Sequence, residues 1–242
     1  MNIIKDNYNM KKIYLYDDNI GSVEYVQHMG DDLTIVNAAR VSFGKQKDEI
    51  DEKDKKLIKY LIRNRHTSTL EHNVITFRFV VPLFVRSQHH RHRTWSYNEI
   101  SRRYTDENLR FYEPVSFRTQ HKSNRQASLP DTINPIIYPD WDDASCGDKA
   151  ADVIKAHHKA SIRLYSRLMS EGVCREQARG VLPQSLYTEY YGTVDLNNLI
   201  KFISLRTHKG AQWEIQRVAE ACLTIAEDLW PVTMGNLTFN QN

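Results

Sequence analysis

The sequence predicts a mixed fold of helices and strands. Three stretches carry that expectation. Asn73–Val81 alternates β-branched and aromatic residues through Thr76 and Arg78, as a strand does. Gln212–Trp230 places Ile215, Val218, Ala219, Cys222, Ile225, Ala226 and Leu229 on one helical stripe. Lys55–Asn64 repeats the helical spacing with Leu57, Ile58, Leu61 and Ile62.

The remaining elements follow in order. Ile13–Tyr16 and Ser22–Gln27 are β-prone and flank a turn at Asp18-Asn19-Ile20-Gly21. Leu33–Val41 begins after Asp31-Asp32 and reads as a short helix. Ser68-Thr69-Leu70-Glu71 has capping-box spacing, which predicts a helical turn starting at Ser68. Pro82 ends the strand and suits a first helical position, so Leu83–His92 is expected to be helical. Arg118–Ala150, with Pro130, Pro135 and Pro139, has weak periodicity and reads as an insertion or lid. Ala151–Met169 is a helix facing inward through Val153, Ile154, His157, Leu164, Tyr165 and Leu168, ended by Gly172. Arg175–Leu182 is a short helix stopped by Pro183, and Leu186–Val194 is extended or helical. Asp195–His208 is a helix capped at Asp195 or Asn197, and Pro231 stops the last long helix.

Composition narrows the class. A chain of 242 residues with 40% hydrophobic and 26% charged content is ordinary for a globular protein. The net charge of +3 is too small for a dedicated nucleic-acid binder. Cys146, Cys174 and Cys222 are odd in number and widely spaced, which suits reduced thiols in a cytoplasmic protein. The first residues show no signal-peptide pattern, and no apolar run reaches the length of a membrane span.

The positive charge is local. Arg86–Tyr104 holds five arginines, three histidines and one acid, Glu99, in 19 residues. Like charges repel, so this density needs an anion, whose oxygens arginine forks match in pairs. His66, His72, His89, His90 and His92 could ligate a metal, but Arg91 and Arg93 would set cations against a cation, so no metal is expected. Ser96 and Ser101 lack a nucleophile elbow, and Cys174 lacks a partner base. No Walker loop and no G-x-G-x-x-G is present, so any nucleotide is held by side chains and helix ends.

Arg91–Tyr104 matches R-H-R-x-x-S-x-N-E-x-S-x-R-Y at all nine fixed positions, and so resembles the flavin-dependent thymidylate synthases. Further segments in the same order are Val23–Phe43, His66–His72, Val81–Arg86, Arg175–Tyr187, Thr193–Val194 and Leu205–Ile215. The resemblance implies a single α+β domain over residues 1–242, a mainly antiparallel sheet flanked by helices. It implies a homotetramer with shared active sites. It implies reductive methylation of dUMP to dTMP, with 5,10-methylenetetrahydrofolate as carbon donor and NADPH-reduced FAD as hydride source.

The same resemblance places Gln88, His89, His90, Arg91, Glu99, Ile100, Ser101, Arg102 and Arg103 around dUMP, with Arg179 from another subunit and Arg206 completing the site. Arg206 corresponds to the arginine that polarises the uracil ring toward N3 ionisation, and His66 to a histidine near flavin and folate; these are the implied catalytic residues. Ser68, Arg91, His92, Arg93, Glu99, Asp195, Leu196, Asn197 and Lys201 match flavin-contacting positions. Asp195 and Lys201 stand where the family has asparagine, and Thr207-His208-Lys209-Gly210 lacks a family histidine. Two other readings compete: a single-stranded nucleic-acid module with Trp95, Tyr97 and Tyr104 as stacking platforms, and a flavoprotein NADPH oxidoreductase without methylation.

Overall fold

The chain opens on two strands and then interleaves helices and strands, in a computed structural model that describes residues 12–138 and 147–237. β1 (Lys12–Tyr14) and β2 (Ser22–Met29) form the expected hairpin. Its turn is fixed by the Asp18 carboxylate, which accepts from the Ile20 and Gly21 amides at 2.8 and 3.0 Å. α1 (Asp32–Arg40) is capped by a reciprocal Asp31–Thr34 box, and α2 (Glu52–Arg63) by Asp51 and Asp54. β3 (Val74–Pro82) buries Ile75, Phe77, Phe79 and Val81 on one face. On the other face Arg78 pairs with Glu24 and Glu189 at 3.4 and 2.8 Å.

α3 (Leu83–His89) is three residues shorter than expected, and β4 (Ser96–Glu99) was not foreseen. Residues 117–149, where the sequence predicts an insertion or lid from Arg118 on, hold two small antiparallel ladders: β5 (Phe117–Gln120) with β6 (Ser128–Ile133), and β7 (Ile136–Ile137) with β8 (Asp148–Lys149). None of these strands has a buried face, so no alternation of apolar and polar residues emerges. Pro139 and Cys146 lie outside the described residues.

α4 (Ala150–Ser170) has the expected span but a different buried stripe. Leu164 is 49% exposed and His157 is exposed, while His158, Ser161 and Tyr165 are buried. A hydropathy count misses this because His158 is buried with polar partners of its own. α5 (Arg175–Ala178) runs into a 3-10 turn over Arg179–Val181, and β9 (Tyr187–Asp195) resolves the ambiguous segment as strand. α6 (Leu196–Arg206) and α7 (Trp213–Leu229) follow, and every residue of the predicted α7 stripe is buried. α7 ends just before Pro231, as expected, and Pro231 then begins α8 (Pro231–Gly235). The buried Asp32 carboxylate accepts from the Val232 and Thr233 amides at 2.8 and 3.0 Å and so caps this helix.

The larger sheet has the order β1-β2-β3-β9-β4, and β1, β2 and β3 pair antiparallel. The chain groups into two compact units. The first comprises the chain up to Val80, Gln88–Asn98 and the chain from Glu189 on; α7 packs on β2 and α6 within it. The second comprises Val81–Ser87 and Glu99–Thr188, with α4 packed on α5. Among the described residues no helix is long and apolar enough to cross a membrane.

Candidate active site

The residues singled out by the sequence fall into two sets, one in each unit. In the second unit, Glu99, Ile100, Ser101, Arg102 and Arg179 line one pocket of about 540 Å³ with Arg86 and Thr188. Glu99, at the end of β4, is held from two sides. Arg86 Nε lies 3.1 Å from its Oε1, and the Thr188 hydroxyl donates to the same oxygen at 2.6 Å. The acid is therefore a fixed acceptor and not a loose charge that would repel an anion. Ser101 opens a tight turn, its Oγ accepting from the Arg103 amide at 3.2 Å. Arg102 donates to the carbonyls of Glu107 and Tyr187 at 2.7 and 3.4 Å, and Arg103 pairs with Glu176 at 3.2 Å. Arg179 is exposed, with no ion pair or hydrogen bond from its guanidinium to the described residues. It is the available cation of this pocket. The resemblance implied that Arg179 comes from another subunit; within this chain it shares a pocket with Glu99–Arg102, so these residues form one set.

The first unit gathers Gln88–Arg93 with Arg206. Arg206, in the last turn of α6, donates through Nε to His92 Nε2 at 3.0 Å and through Nη2 to the Gln88 carbonyl at 3.4 Å. Burial lowers the guanidinium pKa. Burial, and then the Arg206 charge, push His92 down to about 4, so its ring is neutral at neutral pH and Nε2 is an acceptor. His89 is fully buried, its Nδ1 2.9 Å from the Tyr190 hydroxyl and its ring packed on Phe79, Trp95 and Phe202. Burial holds it neutral too, and its side chain is part of the core, so only its backbone could reach a ligand. Gly192 makes this packing possible: a Cβ there would lie 2.9 Å from Phe79 and 3.2 Å from Trp95. His90 stacks on Tyr97 at 4.0 Å between centroids, and the Gln88 amide is bonded to Gln212. Arg91 and Arg93 are exposed and unpaired among the described residues.

The Arg206–His92 contact predicts a specific acid response. The folded state holds the His92 proton affinity near 4 against 6.5 for the free side chain. The unfolded chain therefore binds this proton first, and the stabilisation is complete above 6.5 and lost as pH falls toward 4. In an NMR titration His92 should show its midpoint near 4, and Arg206→Ala should move it upward, though burial keeps it below 6.5. A midpoint at 6.5 in the intact protein would contradict the observed contact.

Two of the flavin-matching positions of the first unit, Asn197 and Lys201, line a second, mainly apolar groove of about 540 Å³. Ile62, Leu70, Ile200 and Leu205 give its walls, with Arg65, Asn197 and Lys201 on its border. Such a groove, apolar within and cationic at the margin, fits an aromatic ring system carrying phosphates. Asn197 is buried and donates to Glu71 Oε1 at 2.9 Å. Glu71 is thereby drawn away from the capping box expected with Ser68. The turn at Thr67–His72 is a 3-10 helix with no side-chain cap, and Ser68 is exposed on it. His66 precedes this turn and stacks on Tyr60 at 5.9 Å. The Leu196 side chain is buried.

Asp195 accepts from the amide of Asn198 at 2.9 Å and from its side chain at 2.6 Å, so the carboxylate caps α6. Asp195→Ala should therefore lower stability by about 1 kcal/mol, whereas Asp195→Asn should keep it. Thermal melts of the two variants compare them directly; equal losses would contradict the capping role.

Sequence reasoning missed Thr188 and the aromatic shell around His89. No sequence motif signals Thr188 as a partner of Glu99. The shell was half visible, since Trp95 and Tyr97 sit within the arginine-rich stretch. Comparison with known proteins agrees with the motif. A family model described as thymidylate synthase complementing protein matches residues 24–232. The flavin-dependent thymidylate synthase of Thermus thermophilus is 42% identical over 212 residues, covering 88% of this chain and 73% of the relative. The one from Thermosipho africanus is 40% identical over 213 residues, covering 88% and 89%. A UMP/dUMP methylase from Streptomyces cacaoi, PolB, solved with 5-Br dUMP, superposes with a TM-score of 0.73 at 34% identity, covering 93% of this chain and 96% of that one. Its complex with 5-Br UMP gives a TM-score of 0.72 at 33% identity, covering 88% and 92%. Relatives this similar over most of both chains, joined to the intact Arg91–Tyr104 motif, show that the chain belongs to the flavin-dependent thymidylate synthase family.

Proposed function

We propose that the protein methylates dUMP at C5 to give dTMP, taking carbon from 5,10-methylenetetrahydrofolate and using FAD reduced by NADPH. The observation that carries this reading is the pocket of Glu99, Ser101, Arg102 and Arg179, set on the family's motif. Arg179 is its unpaired guanidinium and supplies a fork for the phosphate of the nucleotide. The Ser101 hydroxyl already accepts from Arg103 and keeps its own proton to donate. Arg102, bonded to the Glu107 and Tyr187 carbonyls, shapes the pocket wall.

Arg206 acts on the pyrimidine. Two of its nitrogens are committed to His92 and Gln88, which leaves Nη1 to stabilise charge on the ring as N3 loses its proton. A guanidinium holds its own proton, so it stabilises this anion and does not take the proton itself. The extra electron density raises the nucleophilicity of C5. Neutral His92 sets the orientation of Arg206 and adds no competing positive charge. The residues that would hold FAD are Asn197 and Lys201 on the border of the apolar groove, with Ser68, Arg91 and Arg93 at further positions that the family resemblance assigns to it and His66 near flavin and folate. Asp195 caps α6, the helix that carries Asn197 and Lys201. Bound and reduced, the flavin supplies the hydride that completes the methyl group. Working sites are shared between chains of a homotetramer, each site combining the Arg179 set of one chain with the Arg206 set of another.

A visible spectrum of the purified protein with added FAD tests the cofactor. Quenched flavin fluorescence and NADPH-dependent bleaching are expected, and a protein that binds no flavin would sink the reading. Bleaching without any dTMP would favour the oxidoreductase alternative.

A further inference from the structure

In the second unit, three polar side chains form a continuous hydrogen-bonded line outside the residues assigned above. His158 lies midway along α4 with its side chain 4% exposed, stacked on Phe111 at 4.4 Å between centroids and 13° between planes. Its Nδ1 is 2.9 Å from Glu113 Oε1, and its Nε2 is 2.7 Å from Ser185 Oγ. A carboxylate only accepts, so Nδ1 carries the ring proton and Nε2 accepts from the serine hydroxyl.

The order Glu–His–Ser is that of a nucleophile and its base, but its surroundings give it another task. Gln184 and Leu186 line the nucleotide-sized pocket, whereas Ser185 between them does not. The backbone beside it is also engaged. The Ser185 carbonyl accepts from Tyr112 N at 2.9 Å, and Leu186 bridges to Phe111. Leu83 N donates to the Leu186 carbonyl at 3.0 Å, and Phe84 N to the Gln184 carbonyl at 3.2 Å. The same strap ends in Thr188, which holds Glu99 at 2.6 Å. Backbone bonds fix where the strap runs. The Ser185 side chain, turned away from the pocket, fixes which residues face in.

We infer that Glu113, His158 and Ser185 are positioning residues, a relay that locks the Gln184–Thr188 strap and thereby sets the nucleotide affinity of the pocket. This rests on the reading of that pocket as the dUMP site. The relay contacts no reacting atom, so its loss acts on binding far more than on turnover.

Full-length Ser185→Ala and His158→Phe test it, with Ser185→Thr as the variant that keeps a hydroxyl. Three quantities decide: the dUMP dissociation constant by calorimetry, KM against kcat, and hydrogen exchange of the strap amides. Losing one buried hydrogen bond should weaken dUMP binding and raise KM about tenfold. The kcat should stay within about twofold, strap exchange should speed up, and Ser185→Thr should restore all three. A Ser185→Ala protein with wild-type dUMP affinity and unchanged strap exchange would overturn the relay, as would labelling of Ser185 by a fluorophosphonate. If wild type binds no dUMP while Ser185→Ala still loosens the strap, the pocket assignment fails and the relay stands.

Discussion

Arg206→Ala should lower kcat for dTMP formation by about two to three orders of magnitude, the usual loss when one preorganised donor to a developing anion is removed. The side chain is held from both sides. His92 accepts from Nε at 3.0 Å, and the Gln88 carbonyl accepts from Nη2 at 3.4 Å. Nothing in the apolar groove of the first unit depends on Arg206, so flavin affinity should stay within about twofold of wild type. Arg206→Lys should recover little, because an ammonium cannot hold His92, Gln88 and the ring together as a planar fork does. Stopped-flow turnover and flavin fluorescence on the same samples separate the two effects. Normal turnover in Arg206→Ala would remove the residue from the chemistry.

Arg179→Ala should weaken dUMP binding by about 10- to 100-fold, the range for a charge-assisted contact to phosphate, and leave the flavin in place. Arg179 lines its pocket with Glu99, Ser101 and Arg102, whereas Arg206 belongs to the other unit. In a site shared between chains, Arg179→Ala and Arg206→Ala subunits would each lack a different half. Mixed oligomers should then regain activity at about a quarter of their sites by random pairing. Activity assays on refolded mixtures, with mixing proven by mass spectrometry, give the result. Proven mixtures with no recovered turnover would contradict sharing.

The elements legible in the sequence are those with a period or a dense motif. β3 and α7 were readable because apolar residues recur along them, and the capping acids Asp31 and Asp195 marked helix starts. The arginine-rich stretch stood out because its charge needed a partner. What stayed hidden depends on the tertiary fold. The His158 burial contradicts hydropathy until Glu113 and Ser185 are brought to it. The Ser68–Glu71 box failed because Glu71 is bonded to Asn197, 126 residues away. The short ladders of residues 117–149 have no period to read. His89 looked like a ligand contact among charged neighbours, and only the fold shows its side chain inside the aromatic core.

Methylation of dUMP at C5 by this chain is tested by release of the C5 hydrogen from labelled dUMP, in the presence of FAD, NADPH and 5,10-methylenetetrahydrofolate, with dTMP identified by mass. Label release matched one for one by dTMP is the predicted result, abolished by omitting either the folate or NADPH. A flavin-loaded protein that oxidises NADPH yet yields no dTMP would contradict it.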